Sequence, residues 1–218
     1  MDILYQDESI IVVNKPSGLL TIRDGYKPDL PTVKTILEKE FGRCWIVHRL
    51  DKETSGILIV ARDESAHRTL NLAFQNRQIH KTYHAIIIGA PTEKKFEINH
   101  PLKVNGDRRH RTVIDLNNGK PATSLISTME FFDNYTLISI MPKTGYTHQI
   151  RAHLAFSGYP ILGDKLYQKP DSAQTDLISR TALHAFQITF IHPASNSPLT
   201  LQAKYPEDFE FALSVLHK

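Results

Sequence analysis

Cysteine is nearly absent from this chain, since only one of its 218 residues, Cys44, is a cysteine. A single cysteine cannot form an internal disulfide, and disulfides are frequent mainly in oxidising compartments, so we expect a cytoplasmic location. No apolar run approaches the roughly 20 residues that cross a bilayer, and the acidic amino-terminal segment lacks the pattern of a signal peptide. We therefore expect no association with a membrane.

Several cofactor motifs are also missing. Neither G-x-G-x-x-G nor a Walker loop occurs, so a nucleotide cofactor is not expected. His148 and His153 are five positions apart, whereas two metal ligands on one helix face are usually four apart, so we expect no metal either. The net charge is only +3 (26 Lys and Arg against 23 Asp and Glu). That excess is too small to identify a nucleic-acid-binding protein without a local cluster of basic residues.

The chain has the composition of an ordinary globular protein, with 41% hydrophobic and 22% charged residues. It has no repeats and no low-complexity linker, and we expect a single domain spanning 1–218. Cap residues predict helices after Thr32, after Asp63, from Thr147 and from Pro206. Strands outnumber these helices, and 122–131 is followed directly by 135–141. This succession predicts an α+β fold with a largely antiparallel sheet.

The most informative segment is 48–56, His-Arg-Leu-Asp-Lys-Glu-Thr-Ser-Gly, which precedes the apolar run 57–60. It places an acid, an arginine, hydroxyl groups and a glycine in one turn at the mouth of a buried strand, where enzymes often carry their chemistry. The short carboxylate of Asp51 in such a turn can act as a nucleophile or as a base. The alternative is an aspartate that only stabilises the turn.

The densest basic cluster is 105–111, which contains Arg108, Arg109 and Arg111. Its sequence predicts the tip of a hairpin. Such a tip can be a solvated turn, or it can bind phosphates, which give a nucleic-acid complex affinity and position without sequence information.

The segment 48–56 matches every fixed position of the HRLD-x-x-TSG signature of the RluA-type pseudouridine synthases. The chain also resembles this family at 14–18 (NKP-x-G), 81–83 (K-x-Y), 144–154 (TGRTHQIRVHL, here with Tyr146 in third place), 158–167 (HPILGDxLY) and 184–193 (HA-x-x-L-x-F-x-HP). These blocks occur in family order along nearly the whole chain. The chain is therefore identified as similar to that family.

The resemblance implies the pseudouridine synthase fold, a long bent mixed sheet flanked by helices with a central catalytic cleft. It also implies a single catalytic domain over 1–218 without an S4 domain. The implied activity is that of an RNA isomerase, which converts specific uridines of structured ribosomal or transfer RNA to pseudouridine without a cofactor or metal. We expect a monomer that works on RNA in the cytoplasm.

The resemblance also suggests roles for single residues. Asp51 is the essential carboxylate, and whether it attacks the sugar or abstracts a proton stays open. Arg49 fills the space left by the flipped nucleotide. Tyr83 stacks on the target uracil, Ile150 lies under the base, and Arg151 contributes to substrate binding. The loop with Arg108, Arg109 and Arg111 corresponds to the variable loop that contacts the RNA backbone.

One departure from the family pattern falls among the expected site residues. Tyr146, which we expect to bind the substrate, stands where the family has an arginine that pairs with the catalytic aspartate. This departure motivates an alternative, an RNA-binding or RNA-chaperone protein with weakened catalysis on the same scaffold. A third hypothesis is a uridine glycosidase, which normally needs two carboxylates; Glu53 is the only near candidate for the second.

Overall fold

The computed structural model describes residues 1–23, 29–168 and 176–218. Within these ranges the chain forms twelve strands and four helices. The strands are β1 (Asp2–Gln6), β2 (Ile10–Lys15), β3 (Trp45–Ile46), β4 (Ser55–Ala61), β5 (His80–Ile88), β6 (Lys95–Asn99), β7 (Leu102–Lys103), β8 (Val113–Ile114), β9 (Thr123–Phe131), β10 (Tyr135–Pro142), β11 (Leu183–Ile191) and β12 (Pro198–Gln202). The helices are α1 (Val33–Phe41), α2 (Glu64–Gln75), α3 (Gln149–Phe156) and α4 (Glu207–Leu216).

The chain divides into two compact units. Unit 1 comprises Met1–Lys81 with Ala185–Tyr205, and unit 2 comprises Thr82–His184 with Pro206–Lys218. Unit 1 therefore takes its last strands from a distant part of the sequence. That all 218 residues act as one catalytic domain without an S4 domain stays a prediction.

Unit 1 is built around β4. This strand pairs with β2 and β11, β2 pairs with β1, and β11 pairs with β12. Every residue of β4 is buried, which explains why its sequence from Ile57 to Ala61 is a continuous apolar run rather than an alternating one. Ile57 and Ile59 pack with Ala66 and Leu70 of α2 in the main core cluster of the unit. The signature turn at 48–54 thus enters a rigid, fully buried strand.

The two helices of unit 1 begin where their cap residues predict. Thr32 caps α1 by accepting the amide hydrogen of Thr35, and the helix stops at Gly42 with φ 77°. Asp63 caps α2 by accepting the amide hydrogen of Ala66. The predictions for both helices are confirmed, because caps act through residues close in sequence.

Unit 2 contains an antiparallel arrangement in which β10 pairs with β5 and β9, and β9 pairs with β6. The predicted neighbours 122–131 and 135–141 are confirmed as β9 and β10. The short hairpin of β7 and β8 encloses the basic cluster, which confirms the prediction of a hairpin tip. Strand β6 was not foreseen, because its five residues Lys-Phe-Glu-Ile-Asn carry only two apolar positions.

The start of α3 differs from the prediction. The helix begins at Gln149 rather than Thr147, because His148 adopts the left-handed conformation with φ 56° and so cannot belong to a right-handed helix. The last helix, α4, begins after Pro206 as predicted and buries Phe209 and Leu213. Every strand pair whose register is described is antiparallel, so the predicted α+β class with a largely antiparallel sheet is confirmed.

Candidate active site

The signature turn lies in unit 1 between β3 and β4. Its backbone is closed by a hydrogen bond from the Thr54 amide to the carbonyl of Asp51 (3.1 Å). The Asp51 side chain is partly exposed, and the neighbouring Arg49 is exposed. The turn therefore presents a carboxylate and a guanidinium toward solvent on one short segment.

His48 anchors the start of this turn to β4. Its Nε2 accepts the amide hydrogen of Ile59 (2.9 Å), and its ring lies 4.6 Å from that of Phe74. Burial, with a smaller contribution from the charge of Lys81, lowers the pKa of His48 to about 3. The imidazole is consequently neutral at physiological pH and serves as a fixed acceptor rather than as a proton shuttle.

Lys15 also holds the turn in place. This residue ends β2 and its side chain is completely buried. The ammonium donates hydrogen bonds to the carbonyls of Pro16 (2.9 Å), Leu19 (2.8 Å) and Lys52 (3.1 Å). A buried ammonium is tolerated only when its protons find acceptors, and these carbonyls provide them. Lys15 thereby ties the NKP-x-G segment to the residue next to Asp51.

Two hydroxyl groups, one within the NKP-x-G segment and one three residues after it, hold the turn as well. Ser17 donates to the carbonyl of Glu53 (2.8 Å). Thr21 donates to the carbonyl of Leu50 (3.0 Å) and accepts the amide hydrogen of Leu50 (3.2 Å). The backbone is thus fixed on both sides of Asp51. The sequence alone identified the NKP-x-G block but not this function, because the partners are about 30 or more residues apart in the chain.

The glycine of the signature has a steric role. Gly56 has φ +111°, and a Cβ at this position would lie 2.3 Å from the carbonyl oxygen of Ala185 in β11. Real Cβ atoms do not approach a backbone atom so closely. Only glycine therefore allows β4 and β11 to lie together directly after the turn.

Four of the predicted substrate-binding residues lie in unit 2. Tyr83 is half-buried in β5, where it pairs with Ile140 of β10. Ile150, in the first turn of α3, is buried, as expected of a packing residue. Tyr146 packs against a small apolar cluster that includes Leu102.

Gln149 organises the loop that carries Tyr146. Its buried side-chain oxygen accepts from the Tyr146 amide (3.2 Å) and from the Thr144 hydroxyl (2.8 Å). Its side-chain nitrogen donates to the Thr123 carbonyl (3.0 Å) and the Ser124 hydroxyl (3.2 Å) of β9. The loop 144–148 is thereby attached to the sheet of unit 2 through one amide side chain.

Arg151, the fourth of these residues, forms a bidentate ion pair with Asp164. Its Nε and Nη2 donate to the two carboxylate oxygens at 2.7 and 2.8 Å, and the Asp164 side chain is fully buried. Asp164 also accepts the amide hydrogens of Leu166 (3.1 Å) and Tyr167 (3.3 Å). These contacts explain the Arg in the 144–154 block and the Asp in the 158–167 block as one structural pair. A substrate-binding role for Arg151 stays a prediction.

The basic hairpin loop is ordered by Asp107. Its Oδ1 accepts the amide hydrogens of Arg109 (3.0 Å) and Arg111 (2.9 Å), and its Oδ2 accepts from Nε of Arg111 (2.6 Å). These hydrogen bonds, led by that from the Arg111 amide, lower the pKa of Asp107. Arg108 and Arg109 are exposed, whereas Arg111 is half-buried. The loop thus presents two cations on a constrained backbone.

Among the residues that the structure describes, no group of three or more His, Cys, Asp or Glu could hold a metal ion. Within the same ranges, no helix is both long enough and apolar enough to cross a membrane.

A family model described as RNA pseudouridylate synthase matches residues 9–156. The dual-specificity RNA pseudouridine synthase RluA of Salmonella typhimurium is 37% identical over 208 residues, which cover 95% of this chain and 93% of that protein. The protein of the same name from Haemophilus influenzae is 36% identical over 206 residues, which cover 94% of this chain and 93% of that protein.

Solved structures agree with these matches. Human RNA pseudouridylate synthase domain containing 4 superposes with a TM-score of 0.81 at 26% identity, covering 99% of this chain and 92% of that one. Human RNA pseudouridylate synthase domain containing 1 gives a TM-score of 0.79 at 28% identity, and the match covers 94% of this chain and 83% of that one. The expected pseudouridine synthase fold and the resemblance to the RluA type are confirmed. The chain therefore belongs to the RNA pseudouridylate synthase family and is an isomerase that acts on RNA.

Proposed function

We propose that this chain converts uridine to pseudouridine with Asp51 as its essential carboxylate. The reaction breaks the bond between C1′ and N1, turns the uracil, and joins C1′ to C5. The C5 proton is lost and N1 gains a proton, so the nucleotide keeps its formula. No electron is transferred, and this chemistry calls for neither a redox cofactor nor a metal.

The observation that carries the proposal is the fixation of the turn around Asp51. The carbonyls of Leu50, Lys52 and Glu53 are each held by a side chain from 15–21. A carboxylate on such a backbone loses little freedom when it meets its target atom, which is how enzymes turn positioning into rate. A turn that served only as a connection would not need these side chains.

The other site residues take the roles that the family resemblance suggests. Arg49, exposed beside Asp51, occupies the space of the flipped nucleotide and pairs with phosphate. Tyr83 stacks on the uracil, Ile150 lies beneath it, and Arg151 supports substrate binding from its pair with Asp164. The arginines of the basic hairpin bind the RNA backbone.

The substrate is proposed to be more than one RNA. Relatives that match over more than nine-tenths of this chain carry the name dual-specificity RNA pseudouridine synthase. We infer that this chain modifies uridines in both ribosomal and transfer RNA, as a cytoplasmic monomer. Mapping pseudouridines in both RNA classes from a deletion strain tests this inference. Sites lost from only one class would restrict the enzyme to that class.

Asp51→Asn tests the catalytic assignment. RNA containing [5-³H]uridine releases tritium when C5 loses its proton. We expect the variant to release none while its RNA affinity stays within about tenfold, ~1.4 kcal/mol. Glu53→Gln is the matched control, since it neutralises the other carboxylate of the same turn, and it should retain activity. Tritium release by Asp51→Asn would contradict the proposal.

Tyr146 gives a second candidate function a specific basis, because it replaces the family arginine. If the chain is an RNA-binding or chaperone protein with weakened catalysis, the wild-type protein binds RNA without releasing tritium. A glycosidase would instead liberate free uracil, and Glu53→Gln would then impair it. The same assay therefore separates the three hypotheses.

A further inference from the structure

We propose that Tyr167 is a positioning residue, which couples RNA binding by the basic hairpin loop to the first turn of α3. The inference rests on the proposed function, because it assigns the hairpin loop to RNA and the 144–151 block to the uridine. It concerns a residue that does not itself need to touch RNA. All of the contacts that support it lie within unit 2.

The Tyr167 hydroxyl clamps the end of the hairpin loop. It accepts the amide hydrogen of Thr112 (2.9 Å) and donates its own proton to the carbonyl of the same residue (3.1 Å). Burial raises the pKa of Tyr167 to about 12, so the hydroxyl keeps the proton that it donates. Both backbone groups of Thr112, the residue before β8, are thus bound to one side chain 55 positions away.

Thr112 continues the connection to α3. Its hydroxyl donates to the carbonyl of Thr147 (2.6 Å), the residue between Tyr146 and His148. The Nδ1 of His148 lies 3.3 Å from the Tyr167 hydroxyl. Because that hydroxyl donates its only proton to Thr112, His148 is the donor in this last contact. The end of the hairpin loop and the residues that precede α3 therefore share one hydrogen-bonded centre.

The ring of Tyr167 lies close to two guanidinium groups. Arg111 of the hairpin loop is 5.9 Å from the ring centroid, and Arg151 of α3 is 5.1 Å from it. Each arginine is held by an acid, Arg111 by Asp107 and Arg151 by Asp164. Distances below about 6 Å are those of cation–π contacts. Through its ring, Tyr167 thus contacts the hairpin loop and α3 a second time.

This arrangement has a functional consequence. When Arg108 and Arg109 bind phosphates, the loop is restrained, and the restraint reaches Thr147 through Thr112 and Tyr167. The turn that carries Tyr146, which Gln149 already attaches to β9, is then held more firmly when RNA is in place. Part of the free energy of RNA binding at the hairpin loop is in this way used to position the turn that carries Tyr146.

Tyr167→Phe tests the coupling, because it removes the hydroxyl and keeps the ring beside both arginines. We expect RNA affinity within about twofold of wild type and a single-turnover rate at saturating RNA about tenfold lower, as for a typical coupling between sites. Arg108→Ala with Arg109→Ala should weaken binding and lower the saturated rate to a similar degree. The triple variant combines Tyr167→Phe with both arginine changes. Its saturated rate should be no lower than that of the slower parent variant, because both sets of changes interrupt the same connection.

A matched control and a second readout keep the test independent of catalysis. Tyr159→Phe removes a tyrosine hydroxyl from the same unit outside this centre and should leave the rate unchanged. Amide hydrogen exchange should show that RNA protects the Ala152 amide, which donates to the His148 carbonyl (2.9 Å), in wild type but not in Tyr167→Phe. Protection at the Arg109 amide should persist in both proteins.

The outcomes separate the two proposals. Rate losses that multiply in the triple variant, or equal protection of the Ala152 amide by RNA in wild type and Tyr167→Phe, would overturn the coupling. A wild-type protein that releases no tritium would overturn the proposed function alone. In that case the hydrogen-exchange comparison still decides whether Tyr167 couples the hairpin loop to α3.

Discussion

Asp51 is prepared for its proposed role by residues that surround it rather than by its own contacts alone. Ordering one backbone residue costs roughly 1–2 kcal/mol, and an aspartate in a mobile turn would pay this cost whenever it reached its target. Here Lys15, Ser17 and Thr21 hold the neighbouring carbonyls in advance. The single residue is thereby preorganised by a segment about 30 positions earlier in the chain.

Thr21→Val isolates one part of this support at nearly constant volume. It leaves the buried amide and carbonyl of Leu50 without the hydroxyl, and such a loss typically costs about 1–3 kcal/mol. We expect the free energy of unfolding to fall by that amount in urea titrations, and the single-turnover rate to fall with it. Thr69→Val, on the exposed face of α2, is the control. An unchanged rate in Thr21→Val would mean that the turn keeps its geometry without Thr21.

At the scale of elements, the turn depends on how β4 meets β11. The backbone of Ala185 occupies the space that a Cβ of residue 56 would need. We therefore expect Gly56→Ala to reduce the free energy of unfolding by more than about 2 kcal/mol, since backbone strain and a steric clash act together. Gly158→Ala is a useful control, because it also has a positive φ (+87°) but meets no atom within 4 Å. Equal losses in the two variants would show that strain, and not the contact with β11, is responsible.

The hairpin loop between β7 and β8 is the second element with a measurable function. Arg108→Ala with Arg109→Ala should flatten the dependence of RNA affinity on salt by about 1.4–1.8 units of slope, at 0.7–0.9 per phosphate contact. Arg111→Ala should change the slope less and lower stability only slightly, since Arg111 forms a solvent-screened pair with Asp107. An unchanged slope in the double variant would show that the loop is a solvated turn.

At the scale of the whole molecule, each unit contains a histidine that stays neutral. Burial is the main reason that the pKa of His48 is lowered to about 3, and it lowers the pKa of His84 to about 4. A lowered pKa in the folded state means that the unfolded chain binds these protons first as the pH falls. The contribution of the two neutral histidines to the free energy of unfolding is therefore complete above about pH 6.5, the ordinary pKa of histidine. It is lost as the pH falls toward 3–4.

His48→Gln tests this pH dependence. Glutamine can still accept the amide hydrogen of Ile59 through its side-chain oxygen but does not titrate. We expect the slope of unfolding free energy against pH between about pH 4 and 6 to fall by up to one proton, ~1.4 kcal/mol per pH unit. The measurement is urea unfolding at several pH values. A slope equal to that of wild type would show that His48 titrates normally in the folded protein.

The sequence predicted those features that depend on neighbouring residues. Thr32 and Asp63 indicated where α1 and α2 begin, because a cap acts over three residues. The apolar run before Arg62 indicated a buried strand, and the complete HRLD-x-x-TSG pattern identified the family. The start of α3 was missed, because the left-handed conformation of His148 depends on the surrounding loop rather than on its residue type.

The amino-acid sequence by itself thus determined the helices apart from the start of α3, the main strands and the family, since these rest on local patterns, and the same patterns motivate the proposal for Asp51. Only the tertiary structure decided which side chains hold the turn around Asp51 and the hairpin loop in place. It brings Lys15 to the carbonyl of Lys52, and Tyr167 to the backbone of Thr112, across 37 and 55 positions. Many hydroxyl and ammonium groups in a chain of this length could donate to a given carbonyl. Which of them does so is decided by how the strands pack, and local sequence carries no record of that.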